Sequence, residues 1–237
     1  MSEASQNNNY NRAAFSGRQQ SLSQFQDAVV VLLPDRLGLR ILDLGCGAGD
    51  LVFGLKSARP DLTLTGIDIS SVNIEAAKRR LPAGGTDFVE SDYFAWQGTA
   101  SDVILAESVL HLLVGEDHDL ARKLASDLVP GGLLILTMPL GCTMNSLLLL
   151  QRKVWRVMPR AADALAVAAG KVVYRNEPPQ IIEERVQYLR VIPERLHGPE
   201  FVAQMKSCGL GLIKDEDWPS ASFFKLRHRF LVFRREF

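Results

Sequence analysis

The stretch Ile41-Leu42-Asp43-Leu44-Gly45-Cys46-Gly47-Ala48-Gly49-Asp50 constrains this chain more than any other. Ile41 to Leu44 read as a short buried strand. Three glycines at alternate positions follow, and then Leu51, Val52, Leu55 and Ala58 recur at helical spacing. The pattern is a strand, a tight turn and the mouth of a helix. Glycine suits such a turn because the backbone must bend sharply and a ligand must lie close against it. The helix start then offers N–H groups that have no partner inside the helix.

Two ligand classes use a turn of this kind. A dinucleotide site reads G-x-G-x-x-G, with a pyrophosphate over the helix start. Here the spacing is G-x-G-x-G, and Asp43 stands two residues before the first glycine. A carboxylate at the strand end repels a pyrophosphate and suits an ammonium group, such as the one on the methionine half of S-adenosylmethionine. A glycine-rich loop with no ligand is the bland alternative. A second acid supports a cofactor. Leu62 to Ile67 read as the next strand, and Asp68 ends it, 19 residues after Gly49. An acid about 20 residues on is placed to bind ribose hydroxyls. The competing role for Asp68 is a helix cap, since Ser70 and Ser71 open another helical run.

Leu42-Asp43-Leu44-Gly45-Cys46-Gly47-Ala48-Gly49 with Gly66-Ile67-Asp68-Ile69-Ser70 resembles the class I S-adenosylmethionine-dependent methyltransferases. Glu90-Ser91-Asp92, Ser101-Asp102-Val103-Ile104 and Leu128-Val129-Pro130-Gly131-Gly132-Leu133-Leu134 agree with that family. The similarity covers roughly the first 140 residues, and within the class it leans toward small-molecule enzymes of the trans-aconitate type. It implies S-adenosylmethionine as cofactor and methyl transfer to a small-molecule acceptor, at oxygen or nitrogen.

The resemblance also implies site residues. Asp43, Gly45, Cys46, Gly47 and Gly49 surround the methionine half, and Asp68 takes the ribose. Ile69 packs on the adenine, Asp92 accepts from its amino group, and Tyr93 or Phe94 flanks the ring. Glu107 and Ser108, after the fourth strand, fall near the sulfonium. His111 is the candidate general base, since histidine titrates near neutral pH; the plain alternative is a histidine bonded to backbone at a helix start. Methyl transfer from a sulfonium chiefly needs alignment and exclusion of water, so no fixed triad is expected.

A length of 237 residues suits one α/β domain. Lys+Arg 27 against Asp+Glu 27 gives a net charge of zero, which argues against a dedicated nucleic-acid binder. Cys46, Cys142 and Cys208 have no paired or metal-ligand spacing, so no metal is expected and reduced thiols in a cytoplasmic protein are the simplest account. The polar start predicts no signal peptide, and no run reaches the ~20 apolar residues of a membrane span; no stable membrane insertion is expected.

Taken in order, residues 1 to 9 are polar. Ser21-Leu22-Ser23-Gln24 has the form of a capping box, opening a helix that ends at Pro34. Family helices in this place lie over the cofactor, so Tyr10, Phe15 and Arg18 are candidates for the acceptor side. Strands at 41–44, 62–67, 86–90, 102–106 and 132–138 alternate with helices at 49–58, 71–80 and 116–128. This predicts a Rossmann-like, mostly parallel seven-stranded sheet with helices on both faces and an antiparallel last strand. Pro130-Gly131-Gly132 is expected as the turn into the fifth strand. Residues 140–197 form a helical insertion within a single 1–237 domain, and the resemblance makes that insertion an acceptor lid. Its apolar run, with Leu147 and Trp155, is expected to bury over the cofactor.

Two other functions compete. One is a dinucleotide-dependent oxidoreductase, opposed by Asp43 and the glycine spacing. The other is a non-catalytic adenosylmethionine-binding protein associated with a partner or a membrane, for which the basic amphipathic run 147–160 would serve. Absence of an Asn/Asp-Pro-Pro-Tyr sequence after the fourth strand disfavours amide and exocyclic base nitrogens as acceptors. The basic residues Lys225, Arg227, Arg229, Arg234 and Arg235 are explained as well by an edge strand blunted with charge as by nucleic acid.

Overall fold

The computed structural model describes residues 19–81, 84–175, 179–219 and 226–236. In chain order the elements are α1 Gln19–Leu32, β1 Arg40–Leu44, α2 Asp50–Ala58, β2 Thr63–Asp68, α3 Ser71–Lys78, β3 Thr86–Glu90 and β4 Ser101–Glu107. A short 3-10 turn, Leu110–Leu112, precedes α4 Asp117–Ser126 and β5 Leu128–Pro139. Then come α5 Thr143–Val157, α6 Ala161–Val173, α7 Pro179–Tyr188, α8 Pro199–Ser207, β6 Leu210–Trp218 and β7 His228–Arg235.

The strands form one seven-stranded sheet in the order β3-β2-β1-β4-β5-β7-β6. β1 to β5 run parallel, and β7 is antiparallel to both of its neighbours. The expected Rossmann-like sheet with an antiparallel last strand is the observed one.

Alternation along the strands builds two cores, because successive side chains leave a strand on opposite faces. Ile41, Val103, Leu105 and Ile135 pack beneath α1, α2 and α3, with Phe25, Val29, Leu51, Leu55 and Ile74. Leu42, Ile104, Ala106 and Leu134 pack on the other face beneath α4 and α8, with Leu120, Leu124, Phe201 and Met205. β4 is buried along its whole length, as a central parallel strand must be.

Two local expectations fail. Ser21 to Gln24 do not open α1, which is already helical at Gln19. Pro130-Gly131-Gly132 is not a turn ahead of β5. The strand runs through it, and the ladder skips from Ser101↔Leu128 to Val103↔Leu133. Gly131 absorbs the irregularity at φ +77°.

The segment between β5 and α8 leaves and returns at one place. Leu140 and His197 form an isolated parallel bridge. His197 N–H donates to Pro139 O, and Gly141 N–H donates to His197 O, both at 2.7 Å. Asn145, fully buried in the first turn of α5, fixes this root. Its amide donates to Leu140 O and Arg227 O, and its carbonyl accepts from Arg227 N–H.

Candidate active site

Strand order reverses between β1 and β4, where the chain first builds outward through β2 and β3 and then through β5. Open parallel sheets bind ligands outside the carboxyl ends of their strands at such a switch point. Asp43 pairs in register with Gly66 on one side and Leu105 on the other, so Asp43, Asp68 and Glu107 end neighbouring strands at one edge.

The glycine loop is built into that edge. Gly45, Gly47 and Gly49 have φ of +68°, +55° and +83°, values that L side chains adopt at a cost. Gly45 N–H and Cys46 N–H both donate to Ile67 O, which ties the loop to β2. Gly66 has no room for a side chain either: a Cβ there would stand 2.7 Å from Phe88 and 2.8 Å from Cys46 Sγ. Arg80 closes the far side, donating to Ala48 O and pairing with Asp50 at 2.6 Å.

Asp68 serves the loop directly. One carboxylate oxygen accepts from Gly47 N–H at 2.9 Å and the other from Ser70 N–H at 2.8 Å. The cap of α3 is Ser70, whose hydroxyl accepts from Asn73 N–H. The competing roles foreseen for Asp68 therefore divide: the capping falls to Ser70, while Asp68 braces the loop at the strand end.

The electrostatics of the edge are negative. Asp43 is 3% exposed and Glu107 is 9% exposed. Burial pushes the Cys46 thiol far up, and the charges of Asp43 and Asp68 push it further. One side chain thus registers both carboxylates. An anionic pyrophosphate would enter against those charges, whereas an ammonium would be drawn in. Cys46 itself packs in the core, and any ligand contact there falls to the loop backbone.

After β4 the chain turns through Ser108, which has φ +54° and is the only non-glycine residue with positive φ among the described residues. Thr137 of β5 holds it: Ser108 N–H donates to the Thr137 hydroxyl at 3.0 Å, and the two hydroxyls lie 3.1 Å apart. Strain held by neighbouring structure clusters at functional sites. The bend drives Val109 onto Gly45.

Other expected site residues are distributed differently. Ile69 is exposed beside the end of β2. Asp92 is exposed, and its carboxylate caps the following turn at Phe94 N–H, 2.7 Å. Tyr93, expected to flank the adenine ring, is instead buried. Its ring packs in the core with Trp96, Leu120 and Leu124 rather than beside a ligand, and Lys123 Nζ lies 4.9 Å from its centroid. Burial, with Asp127 nearby, pushes its phenol well above the usual range.

His111 has no exposed surface, and its ring lies 6.1 Å from that of His228. A base must reach the proton it removes, so in this conformation His111 is not presented to an acceptor. Leu147 faces solvent, and Trp155 donates to Asp163 inside the insertion at 3.0 Å. The expected burial of the α5 apolar run is overturned: Asn145, Leu149 and Arg152 form its buried face. Tyr10, Phe15 and Arg18 lie outside the described residues. Among the described residues no three His, Cys, Asp or Glu side chains gather as a metal site.

Arg195, a lone arginine in a loop, was not singled out by its sequence context. It is buried, and its guanidinium donates to Leu110 O, Leu113 O and Gly115 O at 2.5–2.7 Å while pairing with Asp117 at 2.7 Å. Glu194 N–H donates to His111 O at 2.8 Å. The returning stem of the insertion is thereby stitched to the loop after β4.

A family model described as "Methyltransferase domain" matches residues 42–134, from β1 into β5. The chain is 38% identical over 102 residues to a trans-aconitate 2-methyltransferase of Paracidovorax citrulli, and 37% identical over 102 residues to one of Rhizobium etli. Each match covers 42% of this chain and 38% of the relative, so the chain spans well under half the length of these relatives. Among solved structures, the magnesium protoporphyrin IX methyltransferase of Synechocystis PCC 6803 with bound S-adenosylhomocysteine superimposes at TM-score 0.62 and 19% identity, covering 93% of this chain and 84% of that one. The [4+2]-cyclase SpnF superimposes at TM-score 0.63 and 18% identity, covering 95% and 85%.

Residues 42–134 are thus similar to a methyltransferase domain, and the chain has the Rossmann-like fold of the solved structures it superimposes on. The residues at the switch point fit the cofactor of such a domain, since buried carboxylates stand where an ammonium would lie. The fold alone does not fix the reaction, because a cyclase shares it.

Proposed function

We propose that the protein transfers a methyl group from S-adenosylmethionine to a small-molecule acceptor, at oxygen or nitrogen. The observation that carries this is Asp68 bonded to Gly47 N–H across the glycine loop, beside buried Asp43 at the β1/β4 switch point. The sequence likeness to methyltransferases over the same domain supports it.

When bound, the cofactor supplies a methyl on a positively charged sulfur, already activated for direct displacement by an acceptor lone pair. The chain's residues bind and align. Asp43 attracts the ammonium, with Gly45 and Gly47 giving it close backbone approach. Asp68 turns an oxygen toward the ribose hydroxyls while keeping Gly47 in place. Ile69 covers the adenine, and Asp92 accepts from its amino group. Glu107 and the strained Ser108 face the methionine half. An acceptor that ionises unaided needs no base. For one that does not, His111 is the histidine nearest in sequence to the end of β4, and it would have to be uncovered before it could act.

Residues 140–197 serve as the acceptor lid of a single domain, because both of their ends are pinned at the carboxyl end of β5. The cytoplasm is the compartment where such an acceptor and cofactor meet. The matched domain ends at Leu134, before the insertion begins, so the relatives' acceptor is a candidate rather than an inheritance. The test is transfer of radiolabelled methyl to a panel of small carboxylic acids, including trans-aconitate, and of amines. Label appearing in an acid or amine, and absent with Asp43→Ala, is the expected result. A protein that binds cofactor and labels nothing, the panel widened, supports the non-catalytic reading.

A further inference from the structure

Helix α5 is amphipathic the wrong way round for a helix packed on a core. Its buried face carries Asn145 and Arg152 with Leu149, and its outer face carries Leu147, Leu150, Val154 and Val157. These four recur at spacings of three, four and three, which is one stripe on a helix. They are 56–83% exposed. The buried polar groups are satisfied: Asn145 by the backbone at Leu140 and Arg227, Arg152 by Val191 O and the face of Tyr188. The inversion is therefore a settled packing, not a rotated helix. α6 repeats it, with no buried residue of its own and with Leu165 and Val172 turned outward.

Charge is distributed in the same uneven way. The whole chain balances, yet residues 143–175 carry Arg152, Lys153, Arg156, Arg160, Lys171 and Arg175 against a single acid, Asp163. Asp163 is engaged by Arg190 at 2.9 Å, and Lys171 pairs with Glu183. Lys153, Arg160 and Arg175 remain as surface cations on the side of the apolar stripes, while Arg156, also exposed, continues the Leu149–Arg152 face at the end of α5.

We propose that the outer faces of α5 and α6 dock the protein on an anionic lipid bilayer. An exposed aliphatic stripe flanked by cations enters the acyl boundary while its charges meet the headgroup phosphates. A second copy fits less well, because it would press the cations of two insertions together. No helix among the described residues is long and apolar enough to cross a membrane, so the attachment is peripheral. The proposal does not rest on the reaction proposed above.

The test is co-sedimentation of the full chain with vesicles of phosphatidylcholine alone, and of phosphatidylcholine mixed with phosphatidylglycerol. Binding is expected to the mixed vesicles only, weakening as salt rises. Lys153→Gln and Arg175→Gln should each lower the partition coefficient about fivefold. Leu150→Ser with Val157→Ser should abolish binding, with melting temperature and S-adenosylhomocysteine affinity unchanged in every variant. No sedimentation with either vesicle at low salt overturns the proposal, as does binding that the variants leave intact. Concentration-dependent dimerisation lost in Leu150→Ser/Val157→Ser assigns the stripe to a second copy instead. Hydrogen-exchange protection of the stripe by S-adenosylhomocysteine without vesicles assigns it to lid closure, and either result overturns lipid docking.

Discussion

Gly45 lies so close to Val109 that a Cβ built on the glycine would stand 2.6 Å from Val109 Cγ2. The loop after β1 and the loop after β4 therefore share one packed contact at the switch point. Gly45→Ala meets both that contact and the positive φ, and should cost about 2–4 kcal/mol of stability. Adding Val109→Ala should recover the part due to the clash and leave the backbone strain of about 1–2 kcal/mol. Chemical denaturation of the single and double variants measures both; equal stability of Gly45→Ala and the parent contradicts the contact.

Asp68 accepts from two backbone amides, each a hydrogen bond to a charged group. Asp68→Ala should weaken S-adenosylhomocysteine binding by about 1.5–3 kcal/mol, leaving the sheet intact. Calorimetry gives the affinity and circular dichroism the fold. Unchanged affinity would show that Asp68 only braces the loop.

Arg195 makes four bonds that no other side chain replaces. Arg195→Met leaves the carbonyls of Leu110, Leu113 and Gly115 short of donors, at about 1–3 kcal/mol for each one that stays buried. Stability should fall by about 3 kcal/mol or more, with hydrogen-exchange protection lost first over residues 110–117. Arg195→Lys should rescue poorly, because an ammonium lacks the planar fork that reaches several acceptors. Full rescue by lysine would reduce Arg195 to a simple countercharge for Asp117.

The Cys46 thiol is held protonated by burial and by two nearby carboxylates. Thiolates, not thiols, react with alkylating agents, so iodoacetamide should modify Cys142 and Cys208 ahead of Cys46 in the folded protein. The sign of the pH effect follows. The folded pKa is raised, so its contribution to stability is complete below the ordinary thiol pKa of about 8.5 and declines as pH rises above it. Peptide mapping after native alkylation checks the order. Early labelling of Cys46 at neutral pH would contradict its burial.

The sheet was legible because its signals are local. Short apolar runs ending in Asp43, Asp68 or Glu107 mark strands, and alternate glycines mark a turn that side chains cannot make. The strand through Pro130–Gly132 was hidden because its pairing partner, β4, lies far off in sequence and the ladder slips by several residues there. Tyr93 was misplaced because an aromatic after a strand end reads alike whether it points out to a ligand or in to Lys123. The orientation of α5 was hidden for a related reason. Periodicity shows that a helix has two faces, but burial of Asn145 and Arg152 depends on partners at Arg227 and Val191. Arg195 left no trace in the sequence, since its acceptors are backbone carbonyls about 80 residues away.

Buried Asp43 and the G-x-G-x-G loop suit the β1/β4 edge to a cationic adenosyl cofactor and not to a dinucleotide. Isothermal calorimetry of the parent protein with S-adenosylhomocysteine, S-adenosylmethionine and NAD tests it most directly, with Asp43→Ala as the companion. Both adenosyl ligands should bind, NAD should give no signal, and Asp43→Ala should lose most of the affinity. Tight NAD binding with no heat from S-adenosylhomocysteine would contradict the account.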